Sequence, residues 1–319
     1  HMQMNNYLES FDMSMSDRDG FIWFDGELVP WREAKVHVLT HTLHYGMGVF
    51  EGVRAYETDQ GTGIFRLSDH TKRLVNSAKI LGMKIPFSEN EINEATKLVV
   101  KENKLKSGYI RPMCFYGSEG MGLRADNLEE HLIVAAWEWG SYFSEDNLNN
   151  GIRIKTSSYT RHHVNATMCK AKANGNYINS MLALQEALNC GYDEALLLDV
   201  HGYVSEGSGE NLFMVSNNTI FTPEINSALD GITRRTVMKI AKDEGLEIKV
   251  KQITRDEIYI ADEAFFTGTA AEVTPIRELD DRSIGNGSRG PITEILQKKF
   301  FDIVNGKSKK YKDWLTIVK

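Results

Sequence analysis

Between Gly140 and Gly151 the chain loses its periodicity. The stretch is polar, ends in Asn149-Asn150-Gly151, and shows neither the alternation of a strand nor the period of a helix. It predicts a boundary loop at 140–150 between a smaller N-terminal unit (1–139) and a larger C-terminal one (151–319). On both sides, strand patterns come in hairpins and helix patterns stand in separate blocks. That arrangement points to an α+β fold rather than a doubly wound parallel sheet. At 319 residues the chain is long enough to build two cores.

The N-terminal unit opens with His1-Met2, which reads as a remnant of cloning. A polar, Met-rich stretch to residue 19 follows and is expected to form a flexible arm. Phe21 to Pro30 reads as a hairpin around Asp25-Gly26. His44 to Tyr56 reads as a strand region interrupted by glycines, and Ile64 to Leu67 pairs back on it. A helix follows from an N-cap at Ser68 to Gly82, and a capping box at Ser88 and Glu91 opens another that runs to about Lys101. Tyr109 to Tyr116 and Leu132 to Trp139 read as buried strands. In the C-terminal unit, Ile152 to Tyr159, Glu194 to Val204, Asn211 to Val215, Glu247 to Ile253 and Glu263 to Phe266 read as strands or hairpins. Asn176 to Asn189, Thr233 to Lys242 and Pro291 to Val304 read as helices.

The net charge of −7 argues against a nucleic-acid partner. No apolar run reaches membrane-spanning length, and no signal-peptide pattern is present at the N-terminus. Cys114, Cys169 and Cys190 are odd in number and lack Cys-x-x-Cys spacing, so reduced thiols and a cytoplasmic location are expected. His37, His41 and His44 invite a metal reading, but no carboxylate joins them at motif spacing. Packed or hydrogen-bonded histidines, and no metal, are expected. There is no P-loop, no strand-borne Gly-x-Gly-x-x-Gly and no Gly-x-Ser-x-Gly elbow.

What remains is a set suited to pyridoxal phosphate. An aldehyde cofactor requires a lysine that can lose its proton near neutrality, hence one that is desolvated or close to positive charge. Lys170 and Lys172, set among small residues, are both candidates, and composition alone does not choose between them. A carboxylate facing the pyridine nitrogen would keep the ring an electron sink. Glu206, in Ser-Glu-Gly-Ser-Gly-Glu, suits that role, with Glu210 as the alternate. Phosphate calls for backbone N–H groups at a helix start, and Gly231-Ile232-Thr233 and Thr267-Gly-Thr269-Ala-Ala271 supply two such nests. Aromatic residues near these stretches fit a small-molecule pocket wall.

Eight motifs in order carry a family resemblance. They are Val-His-Val-Leu-Thr-His-Thr-Leu-His-Tyr-Gly (36–46), Val-Phe-Glu-Gly-Val-Arg-Ala-Tyr (49–56), Tyr-Ile-Arg-Pro (109–112) and Gly-Met-Gly (120–122). They continue with Ala-Lys-Ala-Asn-Gly-Asn-Tyr (171–177), Ser-Glu-Gly-Ser-Gly-Glu-Asn-Leu-Phe (205–213), Gly-Ile-Thr-Arg (231–234) and Gly-Thr-Ala-Ala-Glu-Val-Thr-Pro (268–275). Over about residues 20–305 the chain resembles the branched-chain amino acid aminotransferases of pyridoxal phosphate fold type IV. The resemblance implies a two-domain α+β fold with the active site at the domain interface.

It also implies roles. Lys172 becomes the Schiff-base lysine and general base, Tyr177 the partner of the cofactor's phenolic oxygen, and Glu206 that of the pyridine nitrogen. Arg73, Ile232, Thr233 and Thr269 would hold the phosphate, and Thr269 and Ala270 the substrate α-carboxylate. Tyr45, Phe50, Trp139, Tyr142 and Tyr177 would wall the side-chain pocket. Arg111, with Tyr109 beside it, would take the distal carboxylate of glutamate and keep other partners when leucine is bound. Met121 and Leu123 match a loop that reaches into a partner subunit's site, so a homodimer or a larger assembly of dimers is expected. The implied reaction is ping-pong exchange of amino groups between leucine, isoleucine or valine and 2-oxoglutarate. Two departures stand out: Asn174 replaces a common glycine, and Leu123-Arg-Ala-Asp-Asn127 lacks prolines that some members carry. Rival readings on the same fold are a D-amino acid aminotransferase, an R-selective amine transaminase and an aminodeoxychorismate lyase. A non-catalytic ligand- or metal-binding protein is the rival of another class.

Overall fold

The computed structural model describes residues 14–124 and 126–319. The expected cloning remnant and most of the expected arm lie outside the described residues. The described end of that arm is held in place: Trp31 Nε1 donates to the Met15 carbonyl (2.6 Å), and Arg32 pairs with Asp17 (2.7 Å) and Asp19 (2.8 Å).

In chain order the first elements are β1 (Phe21–Phe24), β2 (Glu27–Pro30), α1 (His41–Tyr45), β3 (Gly48–Phe50), β4 (Val53–Thr58) and β5 (Gly61–Phe65). Then come α2 (Leu67–Ile80), α3 (Glu89–Glu102), β6 (Gly108–Tyr116), β7 (Glu130–Trp137) and α4 (Glu145–Asn150). The last corrects the expected boundary loop at 140–150: its second half is a short helix started by Ser144, whose Oγ accepts from Asn147 N (3.1 Å). The hairpin β1–β2 turns through Asp25 and Gly26, both at positive φ (48° and 104°), as a two-residue Asp-Gly turn requires. Ser88 and Glu91 form the reciprocal capping box that starts α3. His41 to Tyr45 is a short helix, so the strand expected from His44 begins only at Gly48. Gly46 closes the helix in the left-handed conformation (φ 73°), which a residue without Cβ adopts at no steric cost.

After the boundary come β8 (Ile152–Thr156), α5 (Tyr177–Asn189), β9 (Glu194–Leu198), β10 (Val204–Gly207), β11 (Asn211–Ser216) and β12 (Thr219–Thr222). They are followed by α6 (Ile232–Asp243), β13 (Glu247–Val250), α7 (Arg255–Tyr259), β14 (Glu263–Gly268), β15 (Glu272–Leu279), β16 (Arg282–Ser283), α8 (Pro291–Val304) and β17 (Leu315–Ile317). The strand β15 escapes a pattern reading because Pro275 interrupts it. A proline cannot donate to the ladder, yet Pro275 lies opposite Phe265 in a central strand, next to a register shift at Ile276/Glu278 on the other side.

Two sheets result. The first is antiparallel, with strand order β17-β5-β4-β6-β7-β1-β2 and β3 added to β6. Its core packs Ile64, Ile110, Leu132 and Val134 against Leu74 of α2 and Ile92 and Val99 of α3. The second is mixed, with order β10-β9-β8-β15-β14-β11-β12-β13. One face buries Ile152, Leu212, Phe266 and Ile276. The other stacks Phe213 on Phe265 (5.0 Å) beneath α6 and α8. The chain leaves the second sheet through α8 and returns to the first as β17, beside β5. The architecture is thus α+β with two sheets, and the cavity described next lies between them.

Candidate active site

A cavity of about 450 Å³ opens at the seam. Lys172 spans that seam through its backbone. Its N–H donates to Ser77 Oγ on α2 (3.0 Å), and its carbonyl accepts from Phe50 N on β3 (3.1 Å). The side chain enters the cavity, where Nζ donates to Tyr177 Oη (2.5 Å) and lies over the rings of Phe50 (4.5 Å) and Tyr177 (4.7 Å). Burial, then the nearby Arg73 cation, lowers the Lys172 pKa to about 8. Lys170 points elsewhere: its ammonium donates to the carbonyls of Ile225, Asn226 and Ala228. Of the pair, Lys172 alone stands in the cavity near its other polar groups.

Glu206, on β10, reaches the same space. Its Oε1 accepts from Leu229 N (3.3 Å), and its Oε2 lies 3.1 Å from Arg161 Nε. Burial raises the Glu206 pKa despite that arginine. Burial, then Glu206, also pushes the Tyr177 hydroxyl up.

At the far end, α6 begins at Ile232 and Thr233 without any side-chain cap from Gly231, which leaves its first N–H groups free for an anion. A Cβ on Gly231 would lie 2.0 Å from Asn211 Oδ1, so any larger residue would have to displace that side chain. Arg73 faces this helix start, and its NH1 donates to the Asp230 carbonyl (3.1 Å). The buried Thr267 hydroxyl, in the same wall, has no partner among the described residues. A buried arginine, an uncapped helix start and an unpartnered hydroxyl fit a phosphate group.

Opposite lies an aromatic pocket of Phe50, Tyr109, Trp139 and Tyr142. Tyr109 meets Trp139 edge to face (4.7 Å). Arg111 donates through NH2 to Tyr109 Oη (2.8 Å) and lies over the Phe50 ring (4.4 Å). Its Nε is buried without a partner among the described residues. Thr269 and Ala270 also line the cavity. Of the expected site residues, Tyr45, Met121 and Leu123 are not in this wall; they lie on the surface, with Leu123 88% exposed.

Residues 48–279 match the family model described as amino-transferase class IV. The chain belongs to the class IV amino-transferases. It is similar to the branched-chain-amino-acid aminotransferase of Pseudomonas aeruginosa, with 64% identity over 307 residues that cover 96% of this chain and 100% of that protein. Its fold is similar to a solved T.th. branched-chain amino acid aminotransferase with pyridoxamine 5'-phosphate, at a TM-score of 0.93 and 50% identity, covering 95% of this chain and 99% of that one. The same enzyme complexed with N-(5'-phosphopyridoxyl)-L-glutamate gives a TM-score of 0.92 at 50% identity and the same coverage.

Three residues of this class IV amino-transferase escape sequence reasoning. Glu51, fully buried, holds Arg73 through two hydrogen bonds (2.7 and 2.8 Å), and His70 Nδ1 lies 2.7 Å from it. The pull of Arg73 and the bond to His70 overcome burial and keep the Glu51 pKa at about 2. Arg161 fixes Glu206 while its NH2 donates to the Gly207 carbonyl (2.8 Å). Arg54 donates to the carbonyls of Thr269 (2.9 Å), Ala270 (2.8 Å) and Gly140 (3.3 Å). Because C=O and N–H point opposite ways across a trans peptide, holding the Thr269 carbonyl turns the Ala270 N–H away from Arg54. Glu51 and Arg54 stand inside a quoted motif, so proximity to that motif is the signal that could have found them. Arg161 has no local sequence signal. The histidines of 37–44 are occupied with backbone: His41 Nε2 contacts the Gly122 carbonyl (2.6 Å), His44 Nε2 the Val38 carbonyl (2.8 Å), and His37 Nδ1 accepts from Leu39 N (3.0 Å).

Proposed function

We propose that this chain is a pyridoxal phosphate-dependent branched-chain-amino-acid aminotransferase. It exchanges amino groups between L-leucine, L-isoleucine or L-valine and 2-oxoglutarate. The names of the similar proteins point this way, and so do the cofactor and glutamate adducts in the solved structures. The observation that carries the reading is one cavity with a buried lysine between an anion cradle and an aromatic pocket that holds a single, partly satisfied arginine.

Bound there, pyridoxal phosphate supplies an amine-reactive aldehyde and an electron-withdrawing ring. Arg73, the N–H groups of Ile232 and Thr233, and the Thr269 hydroxyl would hold its phosphate. Tyr177 would bond its phenolic oxygen, and Glu206 would keep its pyridine nitrogen protonated. Lys172, with its pKa lowered towards neutrality, takes the proton from the substrate Cα and redelivers it in each half-reaction. The N–H groups of the Thr269–Ala270 segment would receive the α-carboxylate. The aromatic wall excludes water around an aliphatic side chain. Arg111 meets the distal carboxylate of glutamate and otherwise rests on Tyr109 and Phe50, so an apolar substrate does not leave it wholly without partners.

We further propose a homodimer. Tyr45, Met121 and Leu123, with Val38 and Leu43, are exposed apolar side chains that a second copy of this chain would cover, completing each site. We take residues 1–139 and 151–319 as the two domains, joined through 140–150, with β17 returned to the first sheet. No helix among the described residues is long and apolar enough to cross a membrane. Three free cysteines support a reducing, cytoplasmic setting.

The deciding experiment follows the visible absorption of the cofactor-loaded protein. L-Leucine should deplete the band, 2-oxoglutarate should restore it, and the branched 2-oxo acid and glutamate should accumulate. A response to D-alanine but not L-leucine would assign a D-amino acid enzyme instead. Failure to acquire any band with added pyridoxal phosphate would overturn the reading.

A further inference from the structure

Two residues of β4 cross the seam to one loop. In the hairpin of β14 and β15, Gly268 lies opposite Glu272, and Thr269, Ala270 and Ala271 form the loop between them. Arg54 holds the carbonyls of Thr269 and Ala270. The third carbonyl, that of Ala271, accepts from Thr274 Oγ1 (2.6 Å). Across each trans peptide the next N–H points the opposite way, so these three bonds orient the N–H groups of Ala270, Ala271 and Glu272. Tyr56 stands two residues beyond Arg54, hence on the same face of β4. Its hydroxyl donates to Glu272 Oε2 (2.7 Å). The strand therefore grips the loop at two carbonyls through Arg54 and at the closing residue through Tyr56.

Glutamate is an uncommon residue for that place. Glu272 has φ 58°, the left-handed conformation that often closes a three-residue hairpin loop and that glycine adopts most readily, because a Cβ there crowds the backbone. Of the non-glycine residues at positive φ, Glu272 alone is buried among the described residues, at 5% exposure. A disfavoured backbone conformation persists only where the surroundings hold it. Here the hold is the bond from Tyr56, together with the neighbouring Arg54 guanidinium, which is also buried. Burial raises the Glu272 pKa, and Arg54 and then Tyr56 pull it back down. Neither Tyr56 nor Glu272 lines the cavity, so what they do for the reaction passes through the loop.

We propose that Tyr56 and Glu272 are positioning residues for the substrate α-carboxylate. Tyr56 anchors the Glu272 side chain across the seam, and the anchored residue keeps the Thr269–Ala271 loop in the closure that presents its N–H groups to the cavity. This rests on the reading of the Thr269–Ala270 segment as the receiver of the α-carboxylate. Without the anchor, Glu272 relaxes from its left-handed conformation and the N–H groups lose their common direction. The carboxylate end of both amino-acid substrates then binds less well, while the side-chain pocket, built from other elements, is unaffected.

The test uses the cofactor-loaded protein and two probes that differ only at the carboxylate end: 4-methylvalerate and the corresponding alcohol, 4-methylpentan-1-ol. Titration calorimetry gives their affinities without relying on turnover. Wild type should bind the acid at least about tenfold more tightly than the alcohol. Tyr56→Phe removes a single oxygen, and Glu272→Gly removes the anchor while accepting φ 58° without strain. Each should weaken 4-methylvalerate by about tenfold, raise the KM for leucine and for 2-oxoglutarate by a similar factor, and change the affinity for the alcohol and for the cofactor by less than about twofold. Glu272→Gln keeps an acceptor for the Tyr56 hydroxyl and should recover most of the affinity lost in Glu272→Gly. Variants that keep the wild-type preference for the acid, or that weaken acid and alcohol alike, overturn the proposal. A wild type that itself shows no preference for the acid overturns the α-carboxylate reading of the loop instead, and the proposal falls with it.

Discussion

Arg73 meets Glu51 through two parallel hydrogen bonds of 2.7 and 2.8 Å, and both side chains are almost fully shielded from water. This geometry aims the guanidinium along the seam towards the start of α6, and it depends on the charge of Glu51. Glu51→Gln should weaken pyridoxal phosphate binding by about 10- to 100-fold and lower stability by about 3 kcal/mol, because a buried guanidinium loses its counter-charge. Cofactor titration and denaturant unfolding would check this; unchanged affinity would remove Arg73 from the phosphate cradle.

The same pair sets a limit in acid. Glu51 is held at about 2, below its ordinary 4.5, so its contribution is complete above 4.5 and is lost as pH falls from there to about 2. The shift corresponds to about 3 kcal/mol. Unfolding measured across that window should lose this increment in wild type and not in Glu51→Gln.

Lys172 should be indispensable and Lys170 not. Lys172→Ala should abolish multiple-turnover transamination, while Lys170→Ala, which removes only contacts to three backbone carbonyls, should keep most activity. In the cofactor-free wild type, capture of pyridoxal phosphate should speed up with pH around a midpoint near 8, as the buried ammonium loses its proton. Full turnover by Lys172→Ala would sink the assignment.

Arg111→Met should separate the two substrates. Loss of a charge-assisted pair should raise the KM for 2-oxoglutarate by about 100-fold and change the KM for leucine by less than about fivefold. Equal effects on both would place Arg111 in general pocket structure.

Arg54→Ala should act on the α-carboxylate end. Freed of their bonds to Arg54, the Thr269 and Ala270 carbonyls no longer fix the peptide orientation, so kcat/KM should fall by about 10- to 100-fold for both substrates. Cofactor affinity, which the proposed site assigns to the α6 start and Arg73, should change less than about threefold. A selective loss of cofactor binding would contradict this placement.

Much of the fold was legible by local rules. The Asp25-Gly26 turn, the Ser88–Glu91 capping box and the largely buried runs of β6 and β7 each depend on residues close in sequence. The helix at His41–Tyr45 was not legible, because five residues carry too little period to outweigh strand-like composition. Nor was β15, where Pro275 mimics a break, or β17, which finds its partner 250 residues back along the chain in the register Leu315 to Phe65.

The same division runs through the site. The motifs and the resemblance they carry pointed to Lys172, Tyr177, Glu206 and Arg111, and the folded chain brings these four into the lining of one cavity. Composition without the family resemblance could not separate Lys170 from Lys172, two residues apart with similar neighbours. Tertiary structure did so by placing one ammonium against carbonyls of the 225–228 loop and the other in a desolvated cavity beside Arg73. Glu51, Arg54 and Arg161 likewise meet partners distant in sequence. Burial and electrostatic pairing are properties of the folded seam between the two sheets, and no local stretch of chain contains them.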